Sequence, residues 1–169
     1  MELNFQYFGD SYDVMKRFFC HEFNVLGYRV AVDPMFTDKW NEQSKADFFR
    51  FIEAKPSDVT TPVPRDTILF VDPDTGIKEK GGSRHVSFDR LVDEASRYTL
   101  VFSFDQSFSR GVAPREIMKN KIAELRKREC YAMYYDSHAR FLFASLKQQP
   151  LRELRAHLLA LGLPSERLL

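Results

Sequence analysis

Four stretches decide the architecture: Arg29-Val30-Ala31-Val32-Asp33, Ile68-Leu69-Phe70-Val71-Asp72, Leu100-Val101-Phe102-Ser103-Phe104-Asp105 and Tyr131-Ala132-Met133-Tyr134-Tyr135-Asp136. Each is a short run of β-branched and aromatic side chains, the composition of a buried strand. Each ends on aspartate. Helical patterns lie between them, and alternation of helix and apolar strand implies parallel strands joined by right-handed crossovers. The expected fold is therefore a single α/β domain over residues 1–169, a helix-sheet-helix sandwich with a mainly parallel sheet and a C-terminal antiparallel hairpin. In such a sheet the four carboxylates share one edge, the carboxyl edge where open α/β sheets take ligands.

Working outward, a helix is expected from about Asp10 to Leu26, with Met15, Phe18, Phe19, Phe23 and Leu26 on one face. Asp10 suits its N-cap and Gly27 its stop. A short helix is expected at Ala46–Ile52. Residues 55–66 carry three prolines and read as a surface connection. Residues 76–85 read as a mobile charged loop. Ser87 caps a helix reaching about Tyr98. Pro114 opens one through Arg128, and a last helix spans about Pro150 to Leu161. Asp136-Ser137-His138 is short enough to turn a hairpin between Cys130–Asp136 and the run that follows.

The chain has 169 residues, 44% of them apolar, with 16 Phe and 7 Tyr to fill a layered interior. A net charge of +1 gives no overall pull toward nucleic acid or membrane. Two cysteines, Cys20 and Cys130, have no metal-ligand spacing and fit a reducing compartment. Met1–Phe5 lacks a cationic start and an apolar run, and no segment approaches a membrane span. The expected location is cytoplasmic.

Asp72-Pro73-Asp74-Thr75-Gly76 is the sharpest motif. Two carboxylates one residue apart, leaving a buried strand at the ligand edge, suit Mg²⁺ with its waters and a substrate phosphate. The same residues also suit a plain turn, with Asp74 bonding backbone amides. Asp33-Pro34 repeats the ending of the second strand. Asp105, Gln106 and Arg110 put a carboxylate, an amide and a guanidinium on one loop, and Arg suits bidentate phosphate contact. Asp136 with His138 reads as a base and its orienting partner, or as a polar hairpin tip. His85 sits in the glycine-rich loop and reads as a surface residue, or as part of a lid. Asp10 and Asp13 are explained as helix caps, and Lys16 follows one turn on. The basic run Lys119 to Arg128 reads as a solvated helix face, with nucleic-acid contact as the alternative. No Walker loop, no Gly-x-Gly-x-x-Gly turn after a strand and no Gly-x-Ser-x-Gly elbow is present.

Asp13-Val14-Met15-Lys16, Val32-Asp33 and Asp72-Pro73 together resemble the Rossmann-like methyltransferases that modify adenine in RNA or DNA. Those enzymes carry an Asp-x-x-Lys helix, a strand ending in Asp, a later strand ending in Asp/Asn-Pro-Pro-Tyr and a C-terminal hairpin. Here Asp74 and Thr75 stand in place of the second proline and the aromatic, and Pro34-Met35-Phe36 in place of the glycine-rich cofactor turn. The resemblance implies a Rossmann-like sandwich and S-adenosylmethionine as cofactor. Val71-Asp72-Pro73-Asp74-Thr75 also resembles the Asp-x-Asp-x-Thr strand end of haloacid dehalogenase-like phosphatases, which implies Asp72 as nucleophile and Asp74 as general acid/base.

The leading expectation is a Mg²⁺-dependent hydrolase of phosphoesters on a nucleotide or nucleic acid. Asp72, Asp74 and Asp105 would be catalytic, with Asp33, Asp72 and Asp74 on the metal. Arg110, Lys16, Gln106 and His138 would contact substrate. The alternatives are a divergent S-adenosylmethionine methyltransferase-like protein and a non-catalytic interaction module.

Overall fold

The computed structural model describes residues 8–36 and 40–169; the Met1–Phe5 stretch lies outside them. Helix α1 (Ser11–Val25) leads into strand β1 (Arg29–Asp33), then α2 (Glu42–Ile52), β2 (Lys55–Pro56) and β3 (Thr67–Val71). Two short strands, β4 (Gly76–Lys78) and β5 (His85–Ser87), precede α3 (Phe88–Arg97) and β6 (Leu100–Phe104). Helix α4 (Pro114–Lys127), the hairpin β7 (Tyr131–Tyr135) and β8 (Phe141–Ser145), and α5 (Gln148–Ala160) follow. The main sheet has six strands in the order β2-β1-β3-β6-β8-β7. β2, β1, β3 and β6 run parallel, and β8 is antiparallel to both β6 and β7. β7 therefore points the same way as β6, and all four aspartate-ended strands finish on one edge. The expected α/β sandwich, mainly parallel with a C-terminal hairpin, is the fold found.

The caps follow the sequence. Asp10 accepts from the amides of Tyr12 and Asp13, and Ser87 from that of Arg90. Gly27 takes the left-handed conformation (φ 89°) that stops α1. Strand side chains alternate between two apolar layers. Val30, Val32, Ile68, Phe70 and Phe102 face α1, α2 and α5 through Phe19, Phe23, Phe48, Ile52, Leu154 and Leu158. Leu69, Val71, Val101 and Tyr134 face α3 and α4 through Leu91, Met118 and Leu125. Most of the phenylalanine lies in the first layer. Phe70 stacks on Phe102 at 4.6 Å, and Phe19 meets Phe141 and Phe143 at 4.9 and 5.1 Å.

Two expectations change. The proline-rich connection contributes an edge strand, because Lys55 and Pro56 pair in parallel with Ala31 and Val32. The charged loop is partly ordered, because Gly76–Lys78 pairs with His85–Ser87. The placement of β2 also fixes the site. After β1 the chain moves outward to β2 and then crosses back past β1 to β3. The winding reverses there, and a crevice opens between the carboxyl ends of β1 and β3.

Candidate functional site

The crevice is a cavity of about 480 Å³, within the ordinary range for small-ligand sites. Its floor is polar. Asp13 accepts from the Gly9 amide at 2.9 Å and from Lys16 Nζ at 3.0 Å. Lys16 reaches across to Asp72 at 2.9 Å, so one ammonium joins the first turns of α1 to the end of β3. All three side chains are at most 12% exposed. Lys16 also lies over the Phe104 ring, 5.2 Å from its centre. Burial lifts the Asp72 carboxyl above its ordinary pKa, with Lys16 opposing. Burial pulls the Lys16 ammonium down, but Asp72 and Asp13 outweigh it and hold Lys16 charged to higher pH than a free lysine.

The walls are aromatic. Past β1, Pro34 is followed by Met35 in the left-handed region (φ 45°), its amide donating to Asp33 Oδ1 at 3.1 Å. This turn presents Phe36, which stacks on Trp40 at 4.7 Å and meets Phe48 edge-on at 5.7 Å. Tyr12 and Phe104 also line the cavity, in edge contact at 5.3 Å. Asp10, Asp74 and Gln106 stand on the rim. Among the described residues, four carboxylates thus line the cavity against one cation, Lys16.

Of the residues expected at a site, Lys16, Asp72, Asp74 and Gln106 line this cavity. Asp33 and Asp105 share the sheet edge but do not. Asp33 pairs with Arg90. Asp105 is fully buried beneath the β4 strand. Its Oδ1 accepts from the Ile77 amide (3.0 Å), the Ser107 amide (3.1 Å) and Ser107 Oγ (2.7 Å). Its Oδ2 accepts from Lys121 Nζ and Tyr134 Oη, each at 2.6 Å. Burial pulls Lys121 down and pushes the Tyr134 phenol well up. The geometry thus makes Asp105 an internal anchor where a catalytic group was expected. Asp74 pairs with Arg84 at 2.5 Å, and Asp136 with Arg115 at 3.2 Å. Every strand-end carboxylate therefore has an internal cation. Among the described residues no group of three His, Cys, Asp or Glu is placed to hold a metal. The expected metal set Asp33, Asp72 and Asp74 is split, because Asp33 turns to α3 and Asp74 to the loop before β5. This donor set does not fit a resident Mg²⁺.

Compared with family models, with curated proteins and with solved structures, the chain matches none. The site is therefore read from its own chemistry. His138 is exposed and stacks on Tyr12 at 4.8 Å, at the outer side of the cavity wall. Arg110 is exposed on the loop after β6, off the cavity wall. The α4 basic run is largely neutralised: Lys121 is buried on Asp105, Lys127 pairs with Glu124, and Arg128 pairs with Glu79, Asp89 and Glu124. Cys20 and Cys130 are buried thiols; burial lifts both, that of Cys130 to about 11, so neither offers a thiolate. Sequence reasoning missed Asp10, Tyr12 and Asp13 as cavity residues because capping explained the two acids. It missed Phe36, Trp40 and Phe48 because their convergence depends on the turn at Met35.

Proposed function

We propose that the crevice binds an adenosine-type nucleoside ligand, with S-adenosylmethionine as the cofactor form and a methyltransferase-like protein as the functional class. The observation that carries this reading is an aromatic-walled, carboxylate-lined cavity at the point where the sheet's winding reverses. A flat base stacks between rings such as Phe36 and Tyr12. Ribose hydroxyls, an exocyclic amine or an ammonium donate to Asp10, Asp13 and Asp74, whose charge favours a cationic ligand over a free anion. Lys16 opposes the lift that burial gives the Asp72 carboxyl and holds it in one direction. S-adenosylmethionine supplies an electrophilic methyl group when bound, and the ring walls exclude water from it. Metal-dependent phosphoester hydrolysis draws less support, since each carboxylate it needs is already paired with a lysine or arginine.

The chain has one tryptophan, and it lines the cavity, so intrinsic fluorescence reports on the site directly. Titration with adenosine or S-adenosylmethionine is expected to give a saturable change, and Mg²⁺ none. Phe36→Ala is expected to weaken adenosine binding about tenfold, since stacking on one aromatic is worth about 1–3 kcal/mol per base. If Mg²⁺ raises the melting temperature while neither adenosine compound does, the nucleoside reading fails and the hydrolase returns.

A further inference from the structure

Beside the crevice the charge reverses. Past the cavity residue Gln106, whose Nε2 donates to the His138 carbonyl at 2.9 Å, the β7–β8 turn carries Arg140. Its guanidinium lies over the Phe108 ring, 4.4 Å from the centre, and the Lys121 ammonium is 4.9 Å from the centre of the same ring. Arg140 is only 21% exposed. An Asp136 carboxylate oxygen is 3.7 Å from Nε, and among the described residues that buried nitrogen has no hydrogen-bond partner. Among the described residues no nitrogen of this guanidinium makes a hydrogen bond, so a firmly held cation lacks a full set of acceptors. The same Asp136 is shared with Arg115, and its backbone carbonyl accepts from Arg167 at 2.9 Å. Two guanidinium groups thus converge on one carboxylate, and a third on the backbone carbonyl of the same residue. Exposed Arg110 stands on the neighbouring loop.

We propose that Arg140, with Arg115 and Arg110, forms a phosphate-binding rim adjoining the crevice. The planar fork of arginine matches phosphate oxygens in pairs, and the ring of Phe108 holds Arg140 ready at low entropic cost. His138, stacked on Tyr12, bridges the two regions, so a ligand with its base in the crevice has its phosphate directed to the arginines. Only this last link rests on the nucleoside reading. The phosphate belongs either to a free nucleotide or to a polynucleotide backbone.

Calorimetric titrations with adenosine, adenosine monophosphate and a short single-stranded oligonucleotide separate these cases. Adenosine monophosphate is expected to bind about tenfold tighter than adenosine, the size of one charge-assisted contact. Arg140→Gln and Arg110→Gln should each reduce that advantage severalfold and leave adenosine affinity unchanged. A polynucleotide source adds a further gain for the oligonucleotide that falls steeply with salt; a free-nucleotide source shows none. Arg110 is exposed and, among the described residues, makes no side-chain hydrogen bond or ion pair, so Arg110→Gln keeps the test valid if Arg140→Gln unfolds. Equal affinities for adenosine and its monophosphate, with no oligonucleotide binding, overturn the rim but leave the nucleoside site standing. Oligonucleotide binding that depends on Arg140, without any nucleoside binding, keeps the rim and removes the nucleoside site. Phosphate-dependent affinity that survives both substitutions overturns the rim.

Discussion

Asp105→Ala is expected to be among the most destabilising single changes in the chain. The side chain has no exposure, and both oxygens are fully used, by Ile77, Ser107, Lys121 and Tyr134. These partners come from β4, the loop after β6, α4 and β7, so one carboxylate ties four segments together. Removing one member of a buried pair costs about 3–5 kcal/mol, because the partner charge is left in the interior. At about 2–4 °C per kcal/mol for a chain of this size, the melting temperature should fall by about 10 °C. Adding Lys121→Met to Asp105→Ala should recover part of the loss, since an apolar stem then replaces the stranded ammonium. Gly76 belongs to the same joint. Its φ is 110°, and a β-carbon there would run into the Asp105 carboxylate and the Gln106 amide, so Gly76→Ala should also destabilise. A melting temperature unchanged by Asp105→Ala would return Asp105 to the list of ligand-facing groups.

What the sequence made legible was decided locally. Apolar runs closed by aspartate gave strands and their common edge, since strand direction follows from the crossovers. Asp10, Ser87 and Pro114 gave helix starts because capping is a matter of three or four neighbouring residues. The two-residue β2 gave no signal, as Lys55-Pro56 has neither length nor apolar pattern, yet it sets where the winding reverses and hence where the crevice opens. The candidate site was legible in part: Lys16, Asp72, Asp74 and Gln106 meet at one cavity on the shared strand edge. The failure lay in partners. Four strand-end acids looked like a cluster, but Arg90, Lys16, Lys121 and Arg115 each claim one. Lys121 sat within a run that reads as a solvated basic face. Only the packing of α4 against β7 brings that one residue inward to Asp105.

Lys16→Met should produce a loss of similar size to Asp105→Ala but with a distinctive pH dependence. It leaves Asp13 and Asp72 side by side, each about 10% exposed, with no cation between them. The expected cost at neutral pH is about 3–5 kcal/mol. Burial already lifts the Asp72 carboxyl, and Lys16 is the largest influence opposing that lift, so its removal raises the carboxyl further. A folded-state pKa above the unfolded one means that the folded chain takes up a proton more readily. The penalty is therefore complete above the raised value, fades as pH falls through it, and is gone below the ordinary aspartate range. The native pair behaves oppositely at the alkaline end. Lys16 is held above its ordinary 10.5, so its contribution is full below that pH and is lost only as pH rises through the higher folded value. Urea unfolding of both proteins across the acid range should show the gap between them narrowing as pH falls. Asp72→Asn is the informative control. It leaves Lys16 with Asp13, so its stability loss should be smaller, whereas adenosine affinity should fall if the Asp72 carboxylate serves the crevice. A Lys16→Met deficit that stays constant from neutral to acid pH would show that lost packing, not stranded charge, sets its size, and would remove the electrostatic argument for a preorganised Asp72.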